Sequence, residues 1–544
     1  MLTLLRNGRI HSAADPEATA LAFVGDTLTW IGGEHAVAMA GEPDRTVDLA
    51  GALVVPGFVD AHVHCTDAGL SLTGLDLSTT TSLAECLALV SRFASTTDAG
   101  VVWGHGWDET RWPENRPPTR AEVDAAVRGR PGYLARVDVH SAAVSSTLAA
   151  TVDRGPDLDG WHPNLPLTKA AHHAVRSQAK ALLGETARAA AQRAFLTRCA
   201  QRGIVEVHEC AAADDQGRAD LVGLLALEAP ISVLGYLGAA VDDPELAVDL
   251  LAETGAVALG GDLVVDGALG SRTASLRAPY SDCAGVPGVN AVGARYLDDA
   301  AIVDHLVACA VAGVQPGFHA IGDDGVGAVG AALLAAADRL GPGGSAMLAG
   351  VTPRVEHAEM PDAATIAAFA ATGTVASVQP LFDAFWGGPD GMYVRRLGAE
   401  RAAPMNPFAA FAAAGVTLAF GSDAPVTPAE PWLALRAAVH HRTAGSGISA
   451  RAAMLAHTRG GHRAARRTGR GAGTVAVGAP AQFAVVSAGE LVRPAADPAV
   501  QRWSTDPRSR VPLLPDLSPG AELPTTLCTV VDGRVVHDVG LFNS

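Results

Sequence analysis

Five residues of ligand type, His62, His64, His319, His357 and Asp423, close short apolar runs and could together hold a divalent cation. In DAHVH the two histidines are two residues apart, a spacing that turns both imidazoles to one face of an extended strand. A lone HxH is a common surface pattern. It gains weight from His319 in FHAIGD, His357 in VEHAE and Asp423 in GSDAP, each at the end of another apolar run. Four imidazoles with one carboxylate suit zinc, and also manganese, iron or cobalt. One or two such ions would activate water and polarise a carbonyl. Asp423 could take the proton of that water and pass it to a leaving nitrogen, and His357 or His319, where not a ligand, could steady the oxyanion.

The elements that must position these residues are eight buried-strand patterns, each followed by an alanine-rich helical stretch. They are GFVDAH (57–62), GIVEVH (203–208), ISVLGY (231–236), DLVVD (262–266), VQPGFH (314–319), PRVEH (353–357), TVASVQ (374–379) and VTLAFGSD (416–423). Eight βα units with chemistry at several strand ends predict a (β/α)8 TIM barrel over 56–468. The gap after the first strand is too long for one helix, so residues of about 70–195 are expected to form an inserted subdomain over the barrel mouth. Strand-and-turn patterns recur at both ends, in 1–55 and 469–544, with Asp532-Gly533 as a hairpin turn. The two ends are expected to meet in one small β-sandwich.

At 544 residues, 49% hydrophobic and with a formal charge of -17, the chain can bury a large core and offers no basic surface for phosphates. Nucleic acid and anionic membrane are therefore excluded as expected partners, leaving a small molecule. The seven cysteines, Cys65, Cys86, Cys199, Cys210, Cys283, Cys309 and Cys528, are odd in number and show no CxxC spacing, which predicts free thiols in a reducing compartment. With neither a signal-peptide pattern at the N-terminus nor a long charge-free apolar stretch, a cytoplasmic location is expected. A homodimer is the default oligomer.

In PGFVDAHVH (56–64), GHGWDETRWPENRPPTRAEVDAAVRGRP (104–131), VDGALGSRTASL (265–276), HAIGDD (319–324), RVEHAE (354–359), ASVQP (376–380) and GSDAPV (421–426) the chain resembles the amidohydrolase superfamily. The resemblance is to its YtcJ-like group, which includes N-substituted formamide deformylases, and covers nearly the whole chain. It implies that His62, His64, His319, His357 and Asp423 are the metal-site positions, and that the enzyme cleaves a non-peptide C–N bond in an amide, N-substituted formamide or cyclic amide. The alternatives are a hydrolytic deaminase of a heterocycle and a metal-binding scaffold without turnover. The deaminase is disfavoured because Gly322 stands where those enzymes carry a glutamate.

Many binuclear relatives bridge their ions with a carbamylated lysine on strand four. Here Asp262 holds that position, and the only lysines, Lys169 and Lys180, lie in no predicted barrel strand. A lysine-bridged pair is excluded. Either the site is mononuclear, or another carboxylate makes the bridge, Glu206 first and Asp262 behind it.

Among the remaining polar residues, Asp266 and Arg272 are expected in the loop after strand four, where Arg272 could take a substrate carboxylate. Trp103, Trp107 and Asp108 are candidates for the pocket wall. His140 reads as an ordinary partly buried histidine and His208 as that or a support to the ligands. His172 and His173 read as a solvated helix, and Cys65 as pointing away from the metal.

Overall fold

The computed structural model describes residues 1–97, 99–283, 291–492 and 511–542. Eight parallel strands pair in sequence order: β1 (Phe58–Val63), β2 (Ile204–Ala212), β3 (Ser232–Gly238), β4 (Ala258–Leu259), β5 (Gln315–Ala320), β6 (Arg354–His357), β7 (Val375–Val378) and β8 (Leu418–Phe420). The chain after β8 returns to β1: the Asp423 N–H donates to the His62 carbonyl at 2.8 Å and the His64 N–H to the Ala424 carbonyl at 2.9 Å. Gly421 makes this approach possible, since a Cβ there would stand 2.6 Å from the His62 nitrogen. The ring closes as a TIM barrel.

The helices begin and end where local chemistry requires. Asp298 and Asp362 cap the helices Asp299–Ala312 and Ala363–Thr372 by accepting the N–H of Ala301 and Thr365, and Gly313 and Gly373 end them at positive φ. Between these caps, Ile302 and Leu306 of the first helix and Ile366 and Phe369 of the second are buried in the core that also holds Phe318 and Val355 of the sheet.

The fourth strand differs from expectation. Pairing in register covers only Ala258–Leu259, ahead of Gly260-Gly261, and the expected strand 262–266 follows as an irregular continuation. Its Val265 N–H and Leu263 carbonyl still bond to His319, at 2.9 Å each. Gly261, at φ +65, makes the break and re-aims the next residue, Asp262.

Between α1 (Cys65–Thr73) and α2 (Lys169–Gln201) lies the insertion, built on five short strands, Leu75–Asp76, Val102–Trp107, Gly132–Arg136, Ser141–Val144 and Leu167–Thr168. Gly184 at φ +75 bends α2. At the chain ends, Leu2–Arg6, Ala20–Val24, Thr27–Gly32 and Arg45–Asp48 make one sheet. Arg9–Ile10 and Leu53–Pro56 join Phe483–Ser487, Thr525–Val531 and Arg534–Asp538 in a second. Leu5, Phe23, Val54, Phe483 and Val530 share the core between them, so the sandwich needs both ends of the chain. No helix among the described residues is long and apolar enough to cross a membrane, and all seven cysteines are buried and free.

Candidate metal centre

The barrel interior is polar along one column. On β2, Glu206, His208 and Cys210 alternate with Val205 and Val207, which face the core outside the sheet. Arg354 and Glu356 of β6 face them. The column ends at the C-terminal rim of the barrel in His62, fully buried, whose Nδ1 lies 2.9 Å from Glu356 Oε2. The carboxylate accepts the Nδ1–H, which makes Nε2 the nitrogen that faces the centre.

The same logic orients the other imidazoles. His64 donates Nδ1–H to the Cys210 carbonyl at 3.0 Å, and His357 donates Nδ1–H to Gln379 Oε1 at 2.9 Å. Their Nε2 atoms turn inward. His357 takes φ +67, and this left-handed break lets it face the centre although its neighbour Glu356 does too. Asp423 is likewise left-handed, at φ +54.

His62 Nε2 is 3.4 Å from Asp423 Oδ1 and 3.5 Å from Asp262 Oδ1, and His64 Nε2 is 3.1 Å from Asp423 Oδ1 and 3.3 Å from Asp262 Oδ2. These separations match the ~3.3 Å edge of a tetrahedron whose centre is ~2.0–2.1 Å from each corner, the geometry of zinc with nitrogen and oxygen ligands. His62 Nε2, Asp262 Oδ1, Asp423 Oδ1 and both nitrogens of His319 are buried without a well-directed hydrogen bond. Ligand atoms of His62, His64 and Asp423 lie within 4.8 Å of one another, as do those of His62, Asp262 and His357. The residues fit a cation.

The charges agree. Burial would raise the Asp423 carboxyl, but His62, His64 and His357 hold it down at about 2. Burial opposes a charge on His62, yet Cys210, Asp423 and Glu356 raise its pKa well above the usual value. His319, desolvated and facing His357, His140 and His62, is held neutral.

Two cavities open from this centre. One is walled by His173, Arg176, Lys180, Glu209 and Asp214, the other by Leu269, Ile321, Phe382, Trp386, Met392 and Tyr393. Asp138, His140, His319, His357, Asp423 and Val426 line both. Phe382 stacks on His357 at 5.8 Å and 7°, and meets Trp386 edge-on at 5.0 Å. Glu359 also lines the apolar cavity, where burial pushes its carboxyl up to about 8.

His62, His64, His319, His357, Asp423 and Asp262 are thus brought together. Glu206 is not. It sits deeper in the barrel, tied to Arg467, to His462 at 3.3 Å and to His208 at 3.4 Å, and cannot bridge ions at the rim. Asp266 spends its carboxylate on the N–H groups of Ser275, Ile321 and Gly322, each at 2.8 Å, and holds two loops rather than a substrate. Arg272 pairs with Asp282 at 2.8 Å and lines neither cavity.

The tryptophan expectation also fails. Trp103 packs on Tyr133 at 4.4 Å and Trp107 donates Nε1–H to the Leu134 carbonyl at 2.8 Å, both inside the insertion. Asp108 pairs with Arg136 at 3.1 Å and lines only an outer cleft beside Trp386 and Val426. His172 is buried against the Tyr133 hydroxyl at 2.9 Å instead of solvated. Lys180 reaches the polar cavity, but Asp67 holds its ammonium at 3.1 Å, while Lys169 pairs with Asp159. Cys65 lies in the core, as expected.

Sequence reasoning missed Glu356, Gln379 and Cys210, which orient the imidazoles, and Phe382 and Trp386, which wall the apolar cavity. For Glu356 a signal existed: charged Arg354 and Glu356 alternate around Val355 in a buried strand. For Phe382 and Trp386 no local signal distinguishes them from core.

A profile of the amidohydrolase family matches residues 45–537. A putative amidohydrolase, YtcJ, of Bacillus subtilis is 27% identical over 429 residues, covering 73% of this chain and 75% of its own. An N-substituted formamide deformylase of Arthrobacter pascens is 30% identical over 159 residues, 28% of this chain and 29% of its own. The fold is that of an uncharacterized metal-dependent hydrolase from Pyrococcus furiosus, with TM-score 0.64, 24% identity and coverage of 88% of this chain and 98% of that one.

Proposed function

The chain belongs to the amidohydrolase family, and from that premise we propose that it hydrolyses a non-peptide C–N bond, in an amide, an N-substituted formamide or a cyclic amide, with zinc as its ion. The observation that carries this reading is the convergence of His62 Nε2, His64 Nε2 and Asp423 Oδ1 at spacings that fit three corners of a tetrahedron and leave one open, with Asp262 beside them. The deformylase relative supports the bond type.

His62, His64 and Asp423 form the primary ion site, and Asp262, which faces both His62 and His357, takes the place expected of Glu206. The ion supplies Lewis acidity for water activation and carbonyl polarisation. Asp423, ionised at neutral pH, accepts the proton of the attacking water and delivers it to the nitrogen as the C–N bond breaks. One water is consumed; an acid, or formate from a formamide, and an amine are released. Gln379 keeps His357 in one tautomer through the cycle, and Phe382 excludes water from its open face.

Position 322 gives deamination no acid: Gly322 donates its N–H to Asp266, and a Cβ there would stand 2.0 Å from the Ser275 carbonyl oxygen. The test is a panel of amides, N-substituted formamides and aminated heterocycles on zinc-loaded protein. Release of amine and acid from the first two classes supports the reading, and ammonia from heterocycles alone overturns it.

A further inference from the structure

We propose that His140, supplied by the insertion rather than the barrel, is a further catalytic residue that donates a hydrogen bond to the substrate oxygen as it gains charge. The inference rests on the hydrolase reading above and adds a group to it.

The ligand set comes wholly from the barrel rim, and His140 faces it from across the cleft. Its ring centroid is 5.1 Å from that of His319, and it lines both cavities where they meet His357 and Asp423. A carbonyl attacked at this junction therefore has the ion side on one flank and His140 on the other. Among the described residues no protein group bonds either ring nitrogen of His140; its only hydrogen bond is from its backbone N–H to Asp138 Oδ1, at 3.3 Å. A neutral imidazole suffices, since either tautomer carries an N–H.

The turn that presents His140 is held at a cost no ordinary surface histidine needs. Val139 precedes it at φ +56, a left-handed conformation that a β-branched residue rarely adopts. A buried ionic cluster imposes it. Arg136 pairs with Asp138 at 2.9 Å, Glu109 at 2.9 Å and Asp108 at 3.1 Å, and Asp138 also accepts the Ser271 hydroxyl at 2.7 Å. Ser271 belongs to the loop after β4, so the turn is fastened to the barrel. Oxyanion donors act through such fixed placement, because they do not reorganise as charge develops.

The test compares wild type with His140→Ala and His140→Gln, both zinc-loaded, on the best amide substrate and in calorimetric binding of phenylphosphonate, a tetrahedral anion. For His140→Ala, kcat should fall about 100-fold, the usual effect of removing one oxyanion donor, with KM within about threefold. Zinc content and melting temperature should be unchanged, phenylphosphonate should bind at least about tenfold more weakly, and His140→Gln, which retains an N–H, should recover part of both losses. A kcat within about threefold of wild type, or loss of zinc from His140→Ala, overturns the inference while leaving the hydrolase reading intact. If wild type cleaves no amide but binds phenylphosphonate in a His140-dependent way, the bond assignment fails and the oxyanion role of His140 stands.

Discussion

Glu356 accepts the Nδ1–H of His62 at 2.9 Å while Arg354 grips its other oxygen at 2.5 Å, so a fully buried ion pair sets the direction of the principal ligand. Such carboxylate–imidazole pairs fix the tautomer and increase ligand basicity. Burial would raise the Glu356 carboxyl, but Arg354 and His62 keep it far below the ordinary range.

Glu356→Gln should keep the fold but weaken zinc binding by about 10–100-fold, read by competition with a chelator. Glu356→Ala should in addition lower stability by about 3–5 kcal/mol, because Arg354 is left charged and unpaired in the barrel. Unchanged zinc affinity in Glu356→Gln would show that His62 needs no orienting partner.

Asp262 and Glu206 should separate cleanly. Asp262→Asn is expected to lower zinc content or affinity at least about tenfold, since it faces His62 and His64. Glu206→Gln should leave zinc content and kcat unchanged and lower only the melting temperature, through its ties to Arg467 and His462. Metal analysis of the wild type decides whether Asp262 is shared: about two equivalents mean a second ion toward His357, about one means a single tetrahedral site.

Asp423→Asn should lower kcat at least about 1,000-fold with little loss of folded protein, because it removes the proton acceptor beside the ion. A metal-binding scaffold without turnover has no kcat to lose, and in it the change would register only as weaker zinc binding.

The sign of the pH dependence differs between metal-free protein and zinc binding. In metal-free protein the Asp423 carboxyl is depressed from 3.8 to about 2, so its contribution to stability is present above 3.8 and is lost as pH falls toward 2. His62, raised above 6.5, contributes fully below 6.5, and that part is lost as pH climbs through its folded pKa. Zinc must displace the His62 proton, so its apparent affinity should rise with pH from 6.5 upward. Titration calorimetry showing flat affinity over that range would contradict the protonated state of metal-free His62.

Trp386→Ala should raise KM roughly tenfold for substrates with an aromatic group, the worth of part of one aromatic contact, and change little for acetamide or formamide. Equal effects on both classes would place the aromatic group outside the Phe382–Trp386 cavity.

The sequence by itself determined the periodic features. Eight buried-strand patterns and the alanine-rich stretches between them made the barrel legible, and the residues at strand ends made His62, His64, His319, His357 and Asp423 legible as a set. Strands one to three and five to eight lie where the pattern put them, give or take a few residues at the ends. The fourth was misread because glycines 260 and 261 break the pairing and leave 262–266 only partly bonded to β5.

Tertiary structure alone decided which carboxylate joins the histidines and what walls the cleft. Glu206 is four residues before Cys210 on one strand, about 13 Å deeper in the barrel at the usual rise, and depth along a closed sheet depends on the stagger of neighbouring strands. Asp262 reaches the centre through a left-handed glycine, and His140 through a strained turn clamped by Asp108, Glu109 and Ser271, which are distant in the chain. Local periodicity records which face of an element is buried. It holds no information on how far loops carry a side chain across the mouth of the barrel, since that is fixed by ion pairs and packing between segments distant in sequence.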